Sequence, residues 1–169
     1  MTGLDSNVVR LSCYDAEWPQ IFAREAAAIR EALGSLVLDV EHIGSTAVVG
    51  MTAKPVIDVA AKTNSFSDLP RIVATMEKIG YSHRGEFGLP GRQFFTKGDP
   101  VLFHVHLVER ENGRWLLWLR FRDALRADAA LREAYVLLKR DLAATFANDR
   151  PAYTAAKGDF INRRLAAIS

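Results

Sequence analysis

Apolar side chains recur at helical spacing near the start of the chain, at Trp18, Ile21, Phe22, Ile29 and Leu33. Asp15 stands where an N-cap belongs, and Gly34 where such a helix ends. Residues 36–43 follow as an apolar, β-rich run and predict a strand. Residues 48–53 form a loop around Gly50, and 55–61 predict a second strand. Alternation in that strand puts Asp58 and Ala60 on one face and Ile57 and Val59 on the other. Ser67 or Asp68 opens a helix that runs to Lys78 and stops at Gly80. Three glycines and a proline make 82–91 a loop. Residues 92–97 and 101–109 predict a hairpin joined through Gly98, Asp99 and Pro100. From Trp115 the period is helical to the end, with a break at 148–151. This order predicts an α+β fold with a mixed β-sheet, flanking helices and a helical C-terminal third from about residue 115 to 169. The length suits one domain over residues 1–169.

Composition narrows the classes. Hydrophobic residues make up 49% of the chain, enough for a full core. A net charge of +2 gives no reason to expect nucleic acid as a partner. Cys13 is the one cysteine, which excludes an internal disulfide and a cysteine-rich zinc site. The first ten residues hold no apolar signal core, and no apolar run approaches the roughly 18 residues that span a bilayer. The expectation is a cytoplasmic protein with no membrane partner.

The chemistry concentrates in residues 41–59. Gly44, Ser45 and Thr46 end the first strand and could present backbone N–H groups and hydroxyls to phosphates, although the same residues also make an ordinary turn. Lys54 is a candidate phosphate ligand beside them. Asp58, flanked by Val56, Ile57 and Val59, needs a partner, because an unpaired buried charge costs several kcal/mol. That partner is a metal or a salt bridge to Lys54 or an arginine. His104 and His106 alternate with Phe103, Val105 and Leu107, so both imidazoles share one strand face. Paired histidines hold a transition metal, bind phosphate when protonated, or simply sit half-exposed on a sheet. If the strands lie side by side, His42, Asp58, His104 and His106 face one cavity. Two histidines and a carboxylate suit iron, manganese, nickel or zinc better than magnesium. Arg122 and Arg126 share a helical face and could clamp phosphates, or form a solvated stripe with Asp123 paired to Arg126 or Arg120. Lys139, Tyr153 and Lys157 read as surface and packing residues.

The blocks Glu41-His42-Ile43-Gly44-Ser45-Thr46-Ala47-Val48 and Ala53-Lys54-Pro55-Val56-Ile57-Asp58 carry a resemblance. So do Pro90-Gly91-Arg92, His104-Val105-His106, Phe121-Arg122-Asp123 with Arg126, Tyr135 with Lys139, and Tyr153 with Lys157. In this order they make the chain resemble the GrpB family from end to end. The resemblance implies the nucleotidyltransferase fold shared with DNA polymerase beta and the small antibiotic adenylyltransferases. It also implies a link to coenzyme A metabolism, since a similar domain is fused to dephospho-CoA kinase in some bacteria. The superfamily pattern is Gly-Ser, then carboxylate-x-carboxylate on a strand, then a third carboxylate on a later strand. Gly44, Ser45 and Asp58 fit it. The second acid falls at Ala60, and no acid shares the face of His104 and His106.

The leading expectation is a nucleotidyl or phosphoryl transferase acting on a small molecule, dependent on a divalent metal (magnesium, manganese or a transition metal). Asp58, Ser45 and Lys54 would be catalytic. Gly44, Thr46, Arg122 and Arg126 would join Ser45 and Lys54 in binding a nucleotide or other phosphorylated molecule. Asp58, His104, His106 and His42 would hold the metal. The alternatives are a non-catalytic module binding a nucleotide or coenzyme A precursor, and a transition-metal enzyme built on the His and Asp residues. Glu41 and Glu109 are expected to face away from the histidines.

Overall fold

The computed structural model describes residues 10–166. The N-terminal stretch read as lacking a signal core falls largely outside them, as do residues 167–169 at the end of the last expected helix. Among the described residues, five helices flank a five-stranded sheet. Helix α1 spans Trp18–Leu33, α2 Leu69–Lys78, α3 Arg114–Ala127, α4 Ala129–Thr145 and α5 Arg150–Ala166. The strands are β1 Asp39–Ile43, β2 Ile57–Thr63, β3 Ser82–His83, β4 Arg92–Lys97 and β5 Phe103–Glu109. Among the described residues no helix is long and apolar enough to cross a membrane.

Most of the expected elements form, and the departures are local. Helix α1 starts at Trp18, and the Asp15 carboxylate accepts a hydrogen bond from the Glu17 backbone N–H at 2.8 Å just before it. Gly34 ends the helix with φ +52°, and Gly34–Leu36 then makes one 3-10 turn. That turn delays β1 to Asp39. Strand β2 starts at Ile57 because the Val56 N–H turns back onto the Lys54 carbonyl. Ser82–His83, read as loop, pairs with Thr96 and Phe95 to make the short β3.

The sheet order is β1-β2-β5-β4-β3. Strands β2 and β5 run parallel, and the other neighbours are antiparallel, so the sheet is mixed as expected. One face carries Ile57, Val59, Ala61, Val105 and Leu107 against α1 and α2, with Trp18, Ala26, Ile29 and Ile72 fully buried there. On the other face Ile43, Ala60 and Val108 pack under Trp115 of α3. A third cluster joins Val48 and Met51 of the β1–β2 connection to Phe121, Leu125, Leu131 and Tyr135 on α3 and α4. The connection that holds Gly44 and Ser45 is thereby fixed against the C-terminal helices.

Register decides which polar residues meet. The parallel pairing sets Asp58 opposite His104 and Ala60 opposite His106. The antiparallel pairing sets Ile43 opposite Asp58, Glu41 opposite Ala60 and His42 opposite Val59. Directly opposed residues share a face. Asp58, His104 and His106 therefore lie together on the α3 face, and His42 lies on the α1 face.

Candidate functional site

Asp58 is the centre of the site. Its Oδ1 accepts hydrogen bonds from His104 Nδ1 at 3.2 Å and His106 Nε2 at 3.3 Å. The expected partner was a metal, Lys54 or an arginine; the structure supplies the two imidazoles of the parallel strand. Burial alone would raise the Asp58 carboxyl. The hydrogen bonds from His104 and His106 outweigh it and hold the group well below the usual carboxylate range. A third of the side-chain surface remains open to solvent.

The other Asp58 oxygen lies against Gly44. A Cβ at Gly44 would stand 2.7 Å from Asp58 Oδ2, and the residue has φ +71°. Both facts require glycine there. The chain then makes a 3-10 turn over Ser45–Ala47. The expected juxtaposition of the Gly-Ser turn with Asp58 is thus present.

His106 is held from both sides. Arg92 Nη1 donates to His106 Nδ1 at 3.2 Å. A guanidinium has no lone pair to offer, so Nδ1 accepts, and the proton on Nε2 points to Asp58. The remaining terminal nitrogen of Arg92, Nη2, donates to the Glu86 and Phe87 carbonyls at 2.9 Å each, and its Nε is buried without a partner among the described residues. Burial lowers the Arg92 pKa, as does the charge of Arg114. Phe94 lies 5.1 Å from both imidazoles, and Trp118 lies 5.4 Å from His106. Arg92 was given no role from the sequence. Its signal was its phase: Arg92, Phe94 and Thr96 share the face of the histidines.

His42 does not join this cluster. It stacks on Phe22 of α1 at 4.6 Å, and its Nε2 contacts Thr46 Oγ1 at 3.0 Å. Alternation within one strand gives its two faces but not which one meets the neighbour, and the antiparallel register sends His42 to the α1 side. The same register brings Glu41 onto the Asp58 face, against expectation. Arg122 Nη1 holds its Oε2 at 2.7 Å. Glu109 does face away, accepting from the Phe66 N–H. Burial, with Arg126 and Arg122, lowers His42 to about 4, while Asp58 opposes this. The unfolded chain therefore binds more protons between that value and 6.5, and stability falls as pH drops through this window. Urea unfolding is expected to show about 2 kcal/mol lost to His42 between pH 7.5 and 5. That loss should vanish in His42→Gln.

The arginines also act differently from expectation. Arg122 grips Asp123 through Nε at 2.8 Å and Nη2 at 3.2 Å, besides its bonds to Glu41 and the His42 carbonyl. Arg126 donates twice to the Ala47 carbonyl, at 3.1 and 2.9 Å. Both spend their donors on carboxylates and carbonyls that brace the Gly44–Ala47 turn, which leaves little for a phosphate. Thr46 is buried and braces His42 in the same way.

The cations at the turn come from α4 and α5 instead. Lys139, read from the sequence as a surface or packing residue, is only 2% exposed. Its ammonium donates to Ser45 Oγ at 3.1 Å and to the Thr52 carbonyl. It lies 5.1 Å from the Tyr135 ring centroid. Lys54 and Lys157 both lie over the Tyr153 ring, at 5.2 and 4.7 Å. Burial, then the like charges of Lys157 and Lys54, push Lys139 down to about 7. No carboxylate among the described residues pairs with Lys139. The sequence did hold a signal: Leu131, Tyr135 and Lys139 are successive i,i+4 positions on the buried stripe of α4.

The matching family model covers residues 8–167 and is described as GrpB protein. The chain belongs to the GrpB family. Among its relatives in this family is the UPF0157 protein PA4798 of Pseudomonas aeruginosa, 39% identical over 95% of this chain and 68% of that protein. The crystal structure of the conserved protein GrpB from Enterococcus faecalis superposes with a TM-score of 0.84 at 32% identity, covering 94% of this chain and 99% of the other. The Cid1 poly(U) polymerase, in an H336N mutant bound to MgATP, matches with a TM-score of 0.54 at 13% identity, over 78% of this chain and 44% of that one. That likeness establishes the nucleotidyltransferase fold for this GrpB-family chain.

The fold family implies divalent metal, and the donor set here does not fit a two-metal centre. Asp58 is the one carboxylate of the expected set. Ala60, where the second would stand, is fully buried in the apolar cluster under Trp115. Glu41, across the sheet from it, is committed to Arg122. Among the described residues no group of three or more His, Cys, Asp or Glu side chains is placed to hold a metal ion.

Proposed function

We propose that this GrpB-family protein binds a nucleotide or another phosphorylated small molecule at the Ser45 turn, and transfers a phosphoryl or nucleotidyl group beside Asp58. The observation that carries the binding half is Lys139. A buried ammonium without a carboxylate, repelled by two further lysines, is a poor arrangement for stability alone. It suits an anion that arrives from solution and supplies the missing negative charge. Phosphates would take the ammonium groups of Lys139, Lys54 and Lys157, with Ser45 as a hydroxyl donor. Gly44 lets the ligand and Asp58 approach the same backbone. The Asp58, His104 and His106 set then lies next to the phosphates, where the ionised Asp58 carboxylate can orient an attacking hydroxyl and His104, whose Nδ1–H faces Asp58, can accept its proton at Nε2.

Titration calorimetry with inorganic tripolyphosphate and with ATP tests the binding half. Both are expected to bind, with affinity falling as salt rises. Failure of both to bind would remove the reading. Incubation with ATP and a panel of small-molecule acceptors tests transfer, by release of ADP or pyrophosphate that Asp58→Asn abolishes.

Ala60 favours a second reading, binding without transfer. An apolar residue sealed under α3 supplies no second ligand for metal-assisted displacement. Tight nucleotide binding with no product over long incubation would select this reading over the first.

A further inference from the structure

Phe87 is the most conspicuous side chain that the proposed chemistry leaves unused. It is 68% exposed, although phenyl rings are ordinarily covered. It is also the one non-glycine residue with positive φ among the described residues, at 47°. A bulky residue in that region is a genuine outlier, and such outliers concentrate at ligand clamps. The surrounding structure enforces it. Arg92 Nη2 ties down the Glu86 and Phe87 carbonyls, while the Glu86 carboxylate accepts from the Gly91 N–H at 2.7 Å. The Arg92 that holds this loop also holds His106. Loop and reacting centre are therefore tied to one guanidinium.

The ring has a defined pose. Phe87 stacks on Phe94 with centroids 5.1 Å apart and planes 22° from parallel. Phe94 in turn lies 5.1 Å from His104 and His106, the partners of Asp58. One face of the Phe87 ring is covered by Phe94, and the side chain as a whole remains largely open to solvent. Lys139 reaches Ser45, next to Gly44, while the stacked phenyls adjoin the imidazoles that bond to Asp58. A ligand with anionic phosphates at one end and a planar ring at the other matches that order.

We propose that Phe87 is a ring platform, whose open face receives the planar heteroaromatic ring of a nucleotide substrate. This rests on the phosphate reading and adds the substrate class to it. Base–aromatic stacking tolerates different bases, so the platform selects for a ring rather than for one base.

The test is calorimetry of the full chain with ATP, UTP and inorganic tripolyphosphate, on the wild type, Phe87→Ala and Phe87→Trp. In Phe87→Ala, ATP and UTP affinities are expected to fall about tenfold while tripolyphosphate affinity is unchanged. Phe87→Trp should restore or exceed wild-type nucleotide affinity. Unchanged ATP and UTP affinity in Phe87→Ala would overturn the platform and leave the phosphate reading standing. An equal loss for tripolyphosphate would also overturn it, because a ring platform cannot act on a ligand without a ring. A wild type that binds none of the three overturns both readings. Phe87 is exposed, so the alanine variant is expected to fold, and its melting curve serves as the check.

Discussion

Replacing Lys139 with methionine will reduce ATP affinity by a hundredfold or more, and the protein will melt no lower than the wild type at neutral pH. Two effects oppose each other in stability. Methionine fills the lysine stem's volume but leaves Ser45 Oγ and the Thr52 carbonyl without their donor, a cost of about 1–3 kcal/mol. It also removes an ammonium whose pKa falls to about 7 on folding. Because the folded value lies below the unfolded one, the unfolded chain binds more protons between about 7 and 10.5. The lysine's contribution is thus least favourable at and below neutral pH, by about 5 kcal/mol. This unfavourable charge outweighs the lost hydrogen bonds, and methionine removes it. Binding moves the other way, since the phosphates lose their most desolvated cation. A variant that is as stable as the wild type yet cannot bind separates a ligand site from a packing residue. Calorimetry beside thermal melting reads both.

Gly44→Ala will destabilise the protein by about 2–4 kcal/mol, a fall in melting temperature on the order of 5–15 °C. Two causes add. The positive φ is unfavourable for alanine, and the new methyl would stand 2.7 Å from Asp58 Oδ2, which cannot swing away without losing its bonds from His104 and His106. Gly50 separates these causes. Its φ is +77°, but a Cβ there meets nothing within 4 Å. Gly50→Ala should therefore cost only about 1 kcal/mol. In an Asp58→Ala background, Gly44→Ala should cost less than in the wild type, because the 2.7 Å clash with Oδ2 is gone and only the 3.1 Å contact with the residue-58 Cβ remains. Equal costs at the two glycines in the wild-type background would mean that Asp58 does not press on the turn.

Much of the site is written in local pattern. The Asp58 face of β2 and the shared face of His104 and His106 both follow from alternation, and a parallel β2–β5 pair brings them together. The Gly-Ser turn beside Asp58 follows from the family block. Alternation fails where the phase of one strand against its neighbour decides the outcome. His42 and Glu41 exchange expected faces for that reason, since a shift of one residue in the β1–β2 register inverts both. Long-range packing accounts for the remaining differences. Arg122 and Arg126 have the spacing of a phosphate clamp, but Asp123, Glu41 and the Ala47 carbonyl reach them first. Lys139 and Tyr153 read as surface and packing residues; the stripe of Leu131, Tyr135 and Lys139 marks a buried face of α4, but not that this face presses on the β1–β2 connection.

Phosphate binding at Lys139 is tested most directly by proton uptake. At pH 8 an ammonium with a pKa near 7 is mostly neutral, and phosphates beside it should recharge it. Calorimetry of ATP binding at that pH, in two buffers of different ionisation enthalpy, should give close to one proton taken up per bound nucleotide. Binding with no proton uptake would place the phosphates elsewhere and contradict a ligand site at Lys139.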